Sequence, residues 1–125
     1  MKRLIAQIWV VLALALLAGT ASAAAPIARI IVVQSTDLSA YLKEVGNLRA
    51  QIKKIAPSVS LRVFRARFAG PDAGTVVVAV EMPDLATLAK IDELQKSNTE
   101  VAATMERIGK LRKIVSDSLY EEISP

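Results

Sequence analysis

The chain has no cysteine and no histidine. It therefore has no Ser-His-Asp or Cys-His dyad, no zinc site of the usual kind and no histidine-ligated haem. With no disulfide available, stability rests on packing. Aromatic residues are scarce: two phenylalanines, two tyrosines and a single tryptophan, Trp9. That is too little to build a stacking platform for bases or sugars. A strong charge bias is missing as well. Lys2 and Arg3 are two of the 16 basic residues, so residues 24–125 carry 14 basic against 12 acidic side chains, a net charge of +2. Neither nucleic acid nor an anionic membrane surface is an expected partner at that charge.

Only one long apolar run is present, and it lies at the start. Lys2 and Arg3 precede residues 4–17, which are apolar apart from Gln7, and Ala21-Ser22-Ala23 closes the segment with small side chains. This is the layout of a secretory signal peptide. The alternative is a retained anchor, but the run is shorter than the ~20 residues of a spanning helix. No cysteine follows it, which excludes a lipoprotein anchor. The expectation is a signal peptide over residues 1–23 and one exported domain over 24–125, periplasmic or secreted and free of the membrane once cleaved. About 100 residues suffice for one modest core.

Residues 27–33 (IARIIVV) are β-branched and predict a first strand. Thr36 or Asp37 caps a helix in which Leu38, Tyr41, Leu42, Val45, Leu48, Ile52 and Ile55 follow the 3.6-residue period, and Pro57 stops it. Residues 59–68 alternate as a second strand and 75–81 form a third. Asp84 opens a second helical region with Leu85, Leu88 and Ile91 as its buried row. Ser97-Asn98-Thr99-Glu100 breaks that region, with capping-box spacing from Ser97 to Glu100. A further helix follows on Val101, Met105, Ile108 and Leu111, and residues 114–123 predict a last strand. The order β-α-β-β-α-β, with its second helix in two pieces, predicts a ferredoxin-like α+β domain. Its four-stranded antiparallel sheet would carry helices on one face.

Both sides of strands two and three carry large apolar residues: Leu61 and Val63 against Phe64, Val76 and Val78 against Val77 and Ala79. Helices cover only one side. A homodimer through the other is the expected assembly.

The stretch from Ala66 to Leu85, with its Gly-Pro-Asp-Ala-Gly hairpin, valine-rich strand, Glu81 and Pro83-Asp84-Leu85, resembles the dimeric α/β-barrel superfamily. It is most similar to the NIPSNAP-like and antibiotic-biosynthesis-monooxygenase-like branches. Residues 114–120 (IVSDSLY) resemble the terminal strand of small exported members without an assigned activity. The resemblance implies a dimeric barrel that binds a small ligand or is non-catalytic. Its alternatives are a cofactor-free oxygenase or isomerase working in an inter-sheet cavity, and a pure interaction module. No cofactor is expected.

Four residues are the candidates for ligand contact. Arg29 is a charge inside an apolar strand, and either faces a cavity or sits at a rim. Arg65 and Arg67, one strand period apart, can hold a carboxylate or phosphate together, or stand as a solvated strand end or an ion pair with Glu81; with Arg29 they are the groups that would orient a small anionic or carbonyl ligand. Glu81 can serve as a base if desolvated. Asp117 and Glu121 share a strand side as paired carboxylates or as rim residues. Tyr41 has the spacing of a core residue whose hydroxyl can line a cavity. Pro71-Asp72 with Gly74 reads as a turn, not a phosphate cradle, because it leads into a strand and not into a helix N-terminus.

Overall fold

The computed structural model describes residues 25–68 and 70–124. The expected signal peptide lies outside them. Among the described residues no helix is long and apolar enough to cross a membrane.

The elements run β1 (Ile27–Ser35), α1 (Leu38–Ile55), β2 (Ser60–Arg65), a short 3-10 turn (Gly70–Asp72), β3 (Val76–Met82), α2 (Leu85–Ser97), α3 (Thr99–Lys110) and β4 (Arg112–Glu121). The strands form one sheet in the order β2-β3-β1-β4. All three pairings are antiparallel. This is the predicted ferredoxin-like arrangement, with β2 and β4 at the edges.

Each helix starts where the sequence supplies an acceptor for its orphan N–H groups. The Asp37 carboxylate accepts from the Ala40 amide at 3.0 Å, and Asp84 accepts from both the amide and the hydroxyl of Thr87. Those bonds hold the Asp84 carboxyl below the usual carboxylate range. The break between α2 and α3 is one residue wide. Asn98 is extended, its amide bonds back to the Leu94 carbonyl, and its side-chain oxygen accepts from the Val101 amide at 3.1 Å. Asn98 therefore closes one helix and opens the next, where Ser97 was the expected cap.

The sheet register decides which side chains meet the helices. Val76, Val78 and Met82 on β3, Leu61 on β2, and Ile27 and Val33 on β1 are buried against Tyr41, Val45, Leu48 and Ile52 of α1, Ile91 of α2, and Val101 and Ile108 of α3. Thr104 is buried between α1 and α3, where its hydroxyl accepts from the Gln51 side chain at 2.9 Å and donates to the Glu100 carbonyl. Ala28, Ile30 and Val32, Arg62 and Phe64, and Val77, Ala79 and Glu81 occupy the opposite face, which no described element covers.

Expected strand boundaries move: β1 runs on to Ser35, and β4 lies two residues earlier than expected, at Arg112–Glu121. The second strand stops at Arg65, opposite Val76 where β3 begins, and Ala66 then donates to the Thr75 carbonyl as the chain leaves the ladder. The chain then turns through Gly70 (φ 55°) and Gly74 (φ 88°), left-handed conformations that suit glycine. The Gly74 amide donates to the Ala66 carbonyl at 2.7 Å, closing the corner. On β4 the register with β1 slips between Val32 and Val33: Val32 faces Ser116 but Val33 faces Ile114. Val115 is the extra residue of a β-bulge, so Ile114 and Asp117 lie on the same face although they are three residues apart.

Candidate functional site

Between the helix face of the sheet and the helices lies a cavity of about 160 Å³. Its wall is mainly aliphatic, from Ile31, Leu61, Val78 and Val80 of the sheet to Leu48, Leu88, Ile91, Met105 and Ile108 of the helices. Five polar side chains also reach it: Arg29, Tyr41, Gln95, Arg112 and Asp117. An enclosed apolar space with a few convergent polar groups is the usual form of a small-molecule site. A cavity of this volume holds about one benzene-sized ring.

Arg29 and Asp117 form a two-pronged ion pair. Arg29 Nε donates to one carboxylate oxygen of Asp117 at 2.9 Å and a terminal guanidinium nitrogen donates to the other at 2.7 Å. Asp92 of α2 stands 3.7 Å from the same guanidinium. This fork geometry is the strong form of the contact. The bond to Arg29 holds the Asp117 carboxyl below the usual carboxylate range, and the bond to Asp117 raises Arg29 further above its ordinary value. The two side chains are 33% and 31% exposed, so the cavity meets solvent at this pair.

Tyr41 lines the same cavity from α1. Its side chain is fully buried, and its hydroxyl proton finds no acceptor among the described residues, its polar neighbour being the Arg112 guanidinium, itself a donor. Burial pushes the phenol above its ordinary value, and the neighbouring Arg112 guanidinium offsets this only in part. At neutral pH Tyr41 is therefore a protonated donor. Leaving such a group unsatisfied in a protein interior costs about 1–3 kcal/mol.

The four sequence candidates do not converge. Arg29 lines this cavity, at its rim. Glu81 is on the opposite face of the sheet, ion-paired to Arg62, which also lies over the Phe64 ring. The expected pairing of Glu81 with Arg65 or Arg67 is not seen, since the register sets Glu81 opposite Ser60 and Ala28 on the uncovered face. Glu81 borders an open hollow of about 580 Å³ shared with Ala28, Ser60 and Tyr120. Arg65 borders another, of about 440 Å³, beside Ser35 and Gly74 at the far end of the sheet. Arg67 lies beyond β2 and is exposed. Neither Arg65 nor Arg67 makes an ion pair among the described residues. Asp117 and Glu121 are not a carboxylate pair, because Asp117 is committed to Arg29.

Sequence reasoning placed Tyr41 in the core but not Gln95 or Arg112 at the site. Arg112 sits where α3 gives way to β4, and only the register that puts it opposite Ser35 brings it over the cavity. Among the described residues no cluster of acidic side chains is suited to a metal ion.

No family model matches the sequence, and no curated protein is similar to it. Solved structures do match. A protein from Caulobacter crescentus described as a putative antibiotic biosynthesis monooxygenase has a TM-score of 0.61 at 11% identity, over 82% of this chain and 93% of that one. SnoaB, a cofactor-independent oxygenase from Streptomyces nogalater, has a TM-score of 0.59 at 11% identity, over 82% and 97%. A dimeric protein of unknown function from Bacteroides fragilis, of ferredoxin-like fold, has a TM-score of 0.50 at 10% identity, over 78% and 96%. At such identities the likeness is one of fold. The chain has the ferredoxin-like fold of antibiotic-biosynthesis-monooxygenase-like proteins, as its sequence resemblance implied.

Proposed function

We propose that this protein binds a small organic molecule in the cavity between its sheet and its helices. One observation carries the reading: a fully buried tyrosine hydroxyl without an acceptor, on the wall of a mainly aliphatic space. The titratable groups lining that space favour binding over acid–base chemistry. A general base works best with a pKa near the operating pH. Asp117 is held below the usual carboxylate range and Tyr41 above the usual phenol range, so neither is suited to exchange protons at neutral pH. The test is calorimetric titration of the purified protein with single-ring compounds. Saturable binding that is lost when the cavity is filled by Val78→Phe supports the reading; binding unaffected by that change refutes it.

A second reading is cofactor-independent oxygenation, favoured by the fold shared with SnoaB. Here the bound substrate would itself donate electrons to dioxygen, and the protein would supply orientation and a dry site. Consumption of dioxygen on adding an electron-rich phenol, without any cofactor, separates it from simple binding.

The protein would act as a homodimer joined through the uncovered sheet face. Ile30, Val32, Phe64, Val77 and Ala79 make that face apolar, and the Bacteroides fragilis protein of similar fold is described as dimeric. Export is part of the same proposal, and intact-mass analysis finding a chain that starts near Ala24 would support it.

A further inference from the structure

The two edges of the sheet are built differently. β4 carries a bulge at Val115 and turns the Asp117 carboxylate inward, and both features discourage another strand from pairing with it. β2 has neither. Its register with β3 runs without a shift from Ser60 to Arg65, it contains no proline, and no described strand lies beyond it. Between β2 and α1 lies an open, mainly apolar hollow of about 170 Å³, formed by Leu38, Leu42, Val63, Phe64, Arg65 and Val76. Leu42, Gly46, Arg49 and Lys53 follow the helical period and make one stripe of α1. Leu42 lines the hollow, so this stripe borders β2, and a side chain at Gly46 would meet only open space. The charge along this border has one sign. Neither β2 nor the stripe carries a carboxylate, and Arg49, Lys53, Arg65 and Arg67 make no ion pair among the described residues. Arg62 is taken by Glu81.

We propose that the β2 edge docks an acidic, extended segment of another protein by strand addition. The outward backbone N–H and C=O groups of β2 pair with the main chain of the segment and supply affinity, while side chains supply selectivity. An apolar side chain enters the hollow beside Leu42, and flanking carboxylates meet Arg49, Lys53 and Arg65. Charge and geometry disfavour a second copy as the occupant. Two β2 edges would bring arginines against arginines, and the β4 edge of another copy is bulged. The hollow shares no lining residue with the sheet–helix cavity, so the proposal stands apart from the binding function above.

The probe is a capped, fluorescently labelled peptide alternating glutamate with valine. Its controls are a peptide alternating lysine with valine, and the acidic peptide methylated at every backbone nitrogen, which cannot donate to a strand. Each is titrated by anisotropy against protein purified from cells expressing the full chain. The acidic peptide should bind, and both controls should bind at least about tenfold more weakly. The double variant Arg49→Glu/Arg65→Glu should weaken the acidic peptide by about tenfold or more, because two exposed attractions become repulsions. Both positions are exposed, so its melting temperature should stay near that of the wild type. A second readout locates the contact: hydrogen exchange of the amides in residues 60–65 should slow when the peptide is bound. No binding of the acidic peptide, equal affinity for either control, indifference to the double variant, or unslowed exchange in β2 would each overturn the proposal. Self-association of the wild type that the double variant abolishes would overturn it too, since the occupant would then be a second copy.

Discussion

Replacing Asp117 with Asn isolates the ion pair at the cavity mouth, because the change nearly preserves shape and removes one charge. The contact is two-pronged and charge-assisted, a type worth about 1.5–3 kcal/mol when shielded. Both side chains remain about a third exposed, 33% for Arg29 and 31% for Asp117. Solvent screening therefore draws the value toward the ~0.2–1 kcal/mol of exposed pairs. An intermediate loss of about 1.5 kcal/mol at pH 7 is expected. For a domain of this size that lowers Tm by roughly 6–12 °C.

The pH dependence gives the sharper test. The bond to Arg29 depresses the folded-state pKa of Asp117 below its unfolded value, ~3.9 for a free aspartate. Between those two values the unfolded chain binds more protons than the folded one, so stability rises with pH there. The contribution is complete above roughly pH 5 and is lost as the pH falls through the folded-state pKa. Wild type and Asp117→Asn should therefore differ by a constant amount from pH 5 to 8 and converge below pH 4. Glu44 and Asp84, whose carboxyls are also held low by Arg107 and Thr87, titrate in both proteins and cancel in the difference. Urea melts from pH 2.5 to 8 supply the measurement. A gap that persists unchanged at pH 3, or no gap at pH 7, would refute the reasoning.

Two neighbouring valines separate core from interface: Val78→Asp buries an unpaired charge against α1 and should prevent folding, whereas Val77→Asp should leave a folded protein that sediments as a monomer. A folded wild-type monomer at high concentration in analytical ultracentrifugation would remove the basis of the second half. Asn98→Ala takes away the side-chain cap of α3 at the junction with α2, and chemical denaturation should show a loss of about 1 kcal/mol. Arg65→Ala and Arg67→Ala should each change stability by less than about 0.5 kcal/mol and leave the binding of single-ring compounds untouched, as titration of each variant would show.

Local chemistry was legible in the residues, and long-range register was not. The caps Asp37 and Asp84, the buried row Tyr41, Val45, Leu48 and Ile52, and the interruption near Asn98 all depend on neighbours within four positions. The extent of β2 depends on a partner. Phe64, Ala66 and Phe68 alternate as a strand would, yet the ladder ends at Arg65, and only Ala66 still bonds across, to Thr75 and Gly74, before the chain turns away. Arg29 stood out as a charge in an apolar strand, but its answering carboxylate is 88 positions away. The bulge at Val115 hides that relation further. With strict alternation from Ile114, Asp117 would point to the uncovered face and could not reach Arg29.

The same bulge and ion pair bear on how the molecule associates. β4 is a ten-residue edge strand with Ile114, Val115, Leu119 and Tyr120 exposed, the kind of edge that invites pairing with another chain. A bulge that disrupts the ladder and a charged residue turned inward are the usual protections against such pairing, and Val115 and Asp117 provide both. The homodimer proposed above would therefore form through the uncovered face and not the edge, since Ile30, Val32 and Ala79 put no charge at its centre. The Arg62–Glu81 pair sits off to the side of that patch. One local irregularity thus turns Asp117 toward Arg29 and sets the charge at the cavity mouth.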